Sequence, residues 1–121
     1  MFLLPPVLAV TNADRAEHYR WGDCCDGWFL VKNDQMNVIQ EKMPPGSSEK
    51  IQVHRKAQQF FFVLAGEAIL EAGGREVVLH EREGVLVPPG VPHRIQNRSQ
   101  RELDFLVTSQ PPRHGDREDS I

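Results

Sequence analysis

The apolar stretches of this chain are short, and segments that contain glycine or proline separate several of them. No stretch longer than about two turns has the residue spacing of an amphipathic helix. Short apolar runs between Gly and Pro breaks are typical of antiparallel sandwiches and barrels. We therefore expect an all-β fold, with strands at residues 27–32, 35–42, 51–54, 59–65, 67–72, 75–80, 84–87, 93–97 and 102–108.

Three segments have the composition of tight turns. In the segment 72–75 two consecutive glycines, Gly73 and Gly74, tolerate positive φ at both central positions, which predicts a hairpin. In the segments 44–46 and 88–90 two prolines precede a glycine, so φ is fixed first and relaxed afterwards. These turns separate the predicted strands.

A length of 121 residues suits one domain that buries roughly two-thirds of the surface of its unfolded chain. We expect a single domain over 1–121, with an N-terminal arm at 1–17, a barrel core at 35–108 and a C-terminal tail at 109–121. The tail is proline-rich and then charged, so we expect it to follow the surface or to be partly disordered. The net charge of −3 and the scattered basic residues give no reason to expect a nucleic-acid partner.

The first ten residues are apolar and superficially similar to an export signal. They lack a basic residue before the apolar part, and Pro5 and Pro6 interrupt them. They are also far too short to span a bilayer. We expect an apolar arm that packs on a neighbouring subunit.

The two cysteines, Cys24 and Cys25, are adjacent in the sequence. Adjacent cysteines rarely pair with each other, so we expect reduced thiols and a cytoplasmic protein without membrane contact.

Two segments combine turn residues with histidine and amide side chains. The first runs over 46–59 and closes at Gly66, and the second runs over 88–97. Together they resemble the two signature motifs of the cupin family, and the resemblance covers about residues 35–108. It implies an antiparallel β-barrel of the jelly-roll kind, also called a double-stranded β-helix. One departure is the opening glycine of the second motif, where Arg82 stands and Gly84 is displaced by two positions.

The resemblance also implies a metal site. In the cupin family the first motif supplies two histidines and a glutamate to a metal, and the second motif supplies another histidine. The corresponding positions here are Gln52, His54, Gln59 and His93. Amide oxygens are weak neutral ligands, and two imidazoles favour zinc, copper or nickel over manganese. The expected cofactor is therefore a divalent transition metal: zinc, nickel, copper or iron.

A metal-free pocket is the alternative interpretation. Histidine and glutamine side chains offer donors and acceptors to an uncharged or anionic organic ligand. Side chains alternate along a strand, so Phe61 is expected to line a substrate pocket with Gln52 and Gln59. The histidines could also simply be hydrogen-bonded inside the barrel. Asn97, at the last position of the second motif, is expected to tie down its loop through backbone hydrogen bonds.

Three functions remain open at this stage. The first is a metal-dependent enzyme of the oxygenase or isomerase type, although a general base is missing because Gln59 cannot accept a proton in the useful range. The second is a non-enzymatic protein that binds or senses a small molecule. The third is a structural subunit with a vestigial pocket. A homodimer is implied by the cupin resemblance and by the apolar N-terminal arm.

Overall fold

The computed structural model describes residues 8–22, 24–112 and 117–119. Within these residues eleven strands form two antiparallel sheets, and there is no helix. The strands are β1 (Glu17–Trp21), β2 (Cys25–Lys32), β3 (Asn37–Met43), β4 (Gln52–His54), β5 (Gln58–Ala65), β6 (Ala68–Ala72), β7 (Arg75–Leu79), β8 (Gly84–Val87), β9 (His93–Gln96), β10 (Leu103–Gln110) and β11 (Arg117–Asp119). The predicted all-β fold is confirmed.

The two sheets pack their apolar faces against each other. One has the strand order β1-β2-β3-β10-β5-β8, and the other has the order β11-β4-β9-β6-β7. Buried and less buried positions alternate along β3, β9 and β10, because successive side chains of a strand point to opposite faces. The largest fully buried apolar side chains are Phe105, Ile39, Met43, Leu70, Ile95 and Leu103.

The predicted hairpin at residues 72–75 joins β6 to β7. Ala72 pairs with Arg75, and the two residues between them, Gly73 and Gly74, have φ angles of 58° and 80°. Positive φ at both central positions is the requirement of a type I′ turn, and glycine meets it without steric cost. The hairpin prediction is confirmed.

Several strand boundaries differ from the predicted ones. The strand predicted at 35–42 begins at Asn37, and the one predicted at 102–108 continues to Gln110. Part of the predicted C-terminal tail is therefore paired in a sheet, since β11 also pairs with β4. Residues 1–7 of the predicted arm, together with 113–116 and 120–121 of the predicted tail, lie outside the described residues.

Strand β1 is not among the strands predicted from the sequence. Its side chains show little alternation between apolar and polar residues, so the strand depends on its pairing with β2. Tyr19 lies over Gly27, where a Cβ atom would come within 2.2 Å of the tyrosine ring, and donates its hydroxyl proton to Glu41 at 2.6 Å. This contact across three strands attaches β1 to the inner face of the sheet.

Arg82 takes the backbone conformation that the missing motif glycine would favour. Its φ is 64°, in the left-handed region that glycine adopts most easily. The turn is held to β5, because the Arg82 amide donates to the carbonyl of Val63 at 2.8 Å and the Val63 amide donates to the carbonyl of Glu83 at 3.0 Å. The chain thus keeps the turn without its glycine.

The two adjacent cysteines differ in their exposure to solvent. Cys24 is exposed and Cys25 is buried. The described part of the chain contains no helix of the length and apolar character needed to cross a membrane.

Candidate functional site

The four residues at the motif positions lie in the interior between the two sheets. Gln52 and His54 belong to β4, His93 to β9 and Gln59 to β5 on the opposite sheet. Their exposed fractions are 6%, 2%, 2% and 1%. Gln52 and His54 share a strand face because they are two residues apart, and Gln52 pairs directly with His93. Residues distant in sequence therefore meet at one place.

Both ring nitrogens of His93 have close polar neighbours. Nδ1 lies 2.9 Å from the carbonyl oxygen of Val91, and Nε2 lies 2.8 Å from Oε1 of Gln59. A carbonyl oxygen can only accept, so Nδ1 carries a proton that it donates to Val91. This bond orients the ring and directs Nε2 towards β5.

The contact between His93 and Gln59 has two chemical forms. If the imidazole is protonated at both nitrogens, Nε2 donates to Oε1 of Gln59. If the imidazole is neutral, the Nε2 lone pair needs a donor, and the amide must present its NH₂ group instead. A buried charge is costly to desolvate, which favours the neutral ring with the amide as donor.

Ser109 supports either orientation of the Gln59 amide. The Gln59 side-chain nitrogen lies 2.8 Å from the hydroxyl oxygen of Ser109, which is fully buried. A hydroxyl can donate and accept, so it pairs with the nitrogen of the amide in one form and with its oxygen in the other. Ser109, Gln59 and His93 form a continuous hydrogen-bonded row across the interior.

Two further polar residues near this site, Ser109 and Asn37, are not among the predicted site residues. Asn37 is fully buried and pairs in register with Ser109, which in turn pairs with Gln59. A signal for Asn37 was present, because it shares a strand face with the apolar Ile39. No such signal exists for Ser109, because Pro111 follows it closely and the residue falls in the predicted tail. We call Asn37, Ser109, Gln59 and His93 the polar layer.

His54 and Gln52 extend the polar layer along β4. The rings of His54 and His93 are tilted by 38°, with centroids 5.5 Å apart. The side-chain nitrogen of Gln52 donates to Glu49 at 3.2 Å, and the other oxygen of that carboxylate accepts from the amide of Ile95 at 3.0 Å. Gln52 is therefore bound to a carboxylate that also fixes β9.

Phe61 forms an apolar wall next to the polar layer. It is 3% exposed, whereas its neighbour Phe60 on the outer face is 41% exposed, so the predicted alternation is confirmed. Its ring and that of His93 make an edge-to-face contact with centroids 5.8 Å apart, and its other aromatic neighbour is Phe105 at 6.3 Å. An aromatic surface thus borders the hydrogen-bonding groups.

Asn97 has the structural role that the sequence predicted. Its side-chain nitrogen donates to the carbonyls of Met43 at 2.9 Å and Arg101 at 2.8 Å. Its side-chain oxygen accepts from the backbone amide of Ser99 at 3.0 Å and from the hydroxyl of the same residue at 2.7 Å. These four bonds hold the loop between β9 and β10 against the end of β3.

The donor set fits a tightly held dication poorly. Residues 8–22, 24–112 and 117–119 contain no cluster of three or more His, Cys, Asp or Glu side chains arranged to hold a metal. The Gln59 amide contacts Nε2 of His93 at 2.8 Å, in the direction from which a metal would bind at about 2.0–2.1 Å. Neutral amides at positions 52 and 59 do not offset the charge of a dication.

The comparison with protein families gives a match to the cupin domain. The matched segment is residues 39–109, which is more than half of the chain. It includes Ser109 and all four predicted ligand positions.

Two curated relatives and one solved structure illustrate the similarity. A mannose-1-phosphate guanylyltransferase of Klebsiella pneumoniae is 28% identical over 74% of this chain, but the match spans only 19% of that protein. An oxalate-binding protein of Thermotoga maritima is 29% identical, with 54% of each chain covered. The polyketide cyclase RemF from Streptomyces resistomycificus superposes with a TM-score of 0.81 at 17% identity, covering 95% of this chain and 87% of the cyclase. At that identity the last comparison shows the shared fold alone.

Proposed function

Because this chain belongs to the cupin family, we propose that it binds a small organic molecule between its two sheets, at the polar layer and His54. The observation that carries this proposal is the buried row of hydrogen bonds from Ser109 through Gln59 to His93. Side chains that both donate and accept, bordered by an aromatic wall, are the usual composition of a small-molecule site.

Two of the similar proteins support a small organic ligand by analogy. One is an oxalate-binding protein, and another cupin-fold protein is a polyketide cyclase. One fold hosts many unrelated activities, so these names do not choose the ligand.

Binding in this proposal does not depend on a metal. The Gln59 amide occupies the inward side of His93, and the positions that would supply a carboxylate are amides. Hydrogen bonds from these groups are sufficient to hold and orient a polar ligand that carries little charge.

A metal-dependent enzyme of the oxygenase or isomerase type is the second candidate. It is favoured by the two adjacent imidazoles of His54 and His93 and by the Nδ1–H···Val91 bond. Such a bond fixes the tautomer and directs the other nitrogen inwards, as metal-binding histidines require. Zinc, nickel, copper or iron would then be held chiefly by these two rings.

Elemental analysis of the purified protein separates the two candidates. The wild-type chain, His54→Ala and a control His80→Ala are prepared without chelator or nickel resin and incubated with each of the four metals. His80 is an exposed histidine of the turn after β7. The proposal expects the same low metal content in all three proteins. Stoichiometric metal that is lost only in His54→Ala supports the second candidate instead.

The binding proposal itself is tested by NMR with three probes: oxalate, benzoate and benzamide. At least one probe should shift the side-chain amide signals of Gln59 while leaving those of Gln58, which bonds to Gln110 at an exposed position, unchanged. If no probe moves the Gln59 signals and a broader ligand screen also fails, a vestigial pocket in a structural subunit is the better account.

The predicted homodimer and cytoplasmic location remain predictions. Phe60, Leu64 and Leu86 are exposed by 41%, 39% and 51%, which gives the outer face of the larger sheet an apolar character compatible with self-association. Light scattering at several concentrations tests the dimer, and a monomeric mass throughout contradicts it.

A further inference from the structure

We propose that the Asn37 side chain determines which ligand binds. It recognises a neutral group that carries a hydrogen-bond donor beside an acceptor, as in a carboxamide or a lactam. This inference rests on the proposed binding function and gives its ligand class. Neither the motif resemblance nor the family match assigns a role to this residue.

The Asn37 side chain is buried without the partners that a buried amide needs. Its exposed fraction is 0%, and neither its side-chain nitrogen nor its side-chain oxygen makes a hydrogen bond to a described residue. Leaving a buried polar group unsatisfied is costly, and the great majority of such groups in folded proteins have partners. The side-chain amide of Asn37 therefore has a donor and an acceptor that the described chain leaves available for a ligand.

The position of Asn37 places it in the site. It pairs with Ser109 in register, and Ser109 pairs with Gln59, so the three side chains share the inner face of the sheet. The buried Asn37 also lies in the wall of an open pocket of about 580 Å³, together with Lys32, Asn33, Asp34 and Pro112. Asn37 therefore belongs both to the wall of this pocket and to the polar layer.

The two unsatisfied atoms of Asn37 select the chemistry of the ligand. A carboxylate only accepts, so it would satisfy the NH₂ group and leave the oxygen unpaired. An ammonium only donates, so it would do the reverse. A carboxamide or lactam satisfies both atoms in one planar contact. Lys32 and Asp34 at the rim of the pocket carry opposite charges, so the entrance favours neither a positively nor a negatively charged ligand.

A change in stability tests this role without any ligand. Leucine branches at Cγ as asparagine does but is larger, so Asn37→Leu removes an unpaired amide and leaves no cavity. We expect its melting temperature to rise by about 3 °C or more. The control is Asn97→Leu, which replaces an equally buried asparagine that has four hydrogen bonds and should melt well below the wild type. A lower melting temperature for both Asn37→Leu and Asn37→Val shows that the amide stabilises the fold, and overturns the inference.

Binding of benzamide and benzoate tests the ligand class. The two probes share a ring and differ in that only benzamide has a donor. We expect benzamide to shift the Asn37 side-chain NH₂ signals and to bind about tenfold more weakly to Asn37→Leu, whereas the affinity for benzoate changes little.

The outcomes separate this inference from the proposed function. If benzamide shifts Gln59 and binds Asn37→Leu as tightly as the wild type, the interior site stands and the role of Asn37 is overturned. If benzoate binds more tightly than benzamide and depends on Asn37, the neutral ligand class is overturned. If benzamide shifts neither amide, the inference fails, whatever oxalate or benzoate does at Gln59.

Discussion

Nε2 of His93 lies 2.8 Å from the side-chain oxygen of Gln59, and this contact joins the two sheets across the interior. His93 stands on β9 of one sheet and Gln59 on β5 of the other. In the cupin motif the position of Gln59 belongs to a glutamate that binds metal. Here the amide at that position bonds to the histidine directly, so a hydrogen bond between neutral side chains joins the two sheets where the motif would place a metal.

A carboxylate at position 59 should increase the affinity for metal. In Gln59→Glu the new side chain adds a negative charge beside His93 and His54, which offsets the charge of a dication. We expect affinity for zinc or nickel to rise by about tenfold or more, measured by competition with a chromogenic chelator.

The control for this prediction is Gln58→Glu, which makes the same substitution one residue earlier, on the opposite face of the strand. Equal metal affinity in Gln59→Glu and Gln58→Glu would show that residue 59 does not lie at a site able to hold metal.

Replacing Asn97 should lower stability and leave binding intact. Asn97→Ala removes two donors from the carbonyls of Met43 and Arg101 and an acceptor from Ser99. We expect a loss of about 3 kcal/mol in the free energy of unfolding, measured with urea. Ser99→Ala keeps the backbone amide that donates to Asn97 but removes a hydroxyl that bonds to Asn97 and to the backbone of Arg101, and it should cost less than Asn97→Ala, about 1 kcal/mol. A changed probe affinity in folded Asn97→Ala would show that this residue takes part in the site.

The turn at the end of β7 should make a pH-dependent contribution to stability. The backbone amide of His80, followed by its ring, donates to Glu83 and lowers the pKa of that carboxyl from its ordinary value of 4.5. Because the folded-state pKa is depressed, the ionised form stabilises the fold above about pH 4.5, and this contribution is lost as the pH falls through the folded-state pKa.

Thermal melts of Glu83→Gln and the wild type between pH 7 and pH 3 measure this effect. The wild type should melt higher at pH 7, and the difference should shrink below pH 4.5. The position is fully exposed, so the difference is expected to be small. A difference that stays constant over the whole range would show that the charge of Glu83 contributes nothing.

The sequence predicted local features of this protein better than it predicted contacts between strands. Alternation along one strand placed Phe61 inside, and two glycines placed the hairpin at residues 72–75. The pairing of Asn37 with Ser109 depends instead on the register between β3 and β10, which are far apart in the chain. Nothing near Ser109 indicates this register, and two prolines follow it closely, so the sequence places the residue in the predicted C-terminal tail. The resemblance to cupins located the histidines but not their partners.

The backbone at Arg82 provides the last prediction, because it takes a left-handed conformation that glycine would adopt more easily. For a residue with a Cβ atom this conformation costs about 1–2 kcal/mol. Glycine avoids that cost, but its greater freedom in the unfolded chain costs about 0.5–1 kcal/mol. Since the first effect is larger, Arg82→Gly should stabilise the fold by about 0.5–1 kcal/mol in urea unfolding. Lys50→Gly, at an exposed position without positive φ, should instead lower stability slightly. If Arg82→Gly is also less stable than the wild type, then the arginine side chain stabilises the turn by more than its backbone conformation costs.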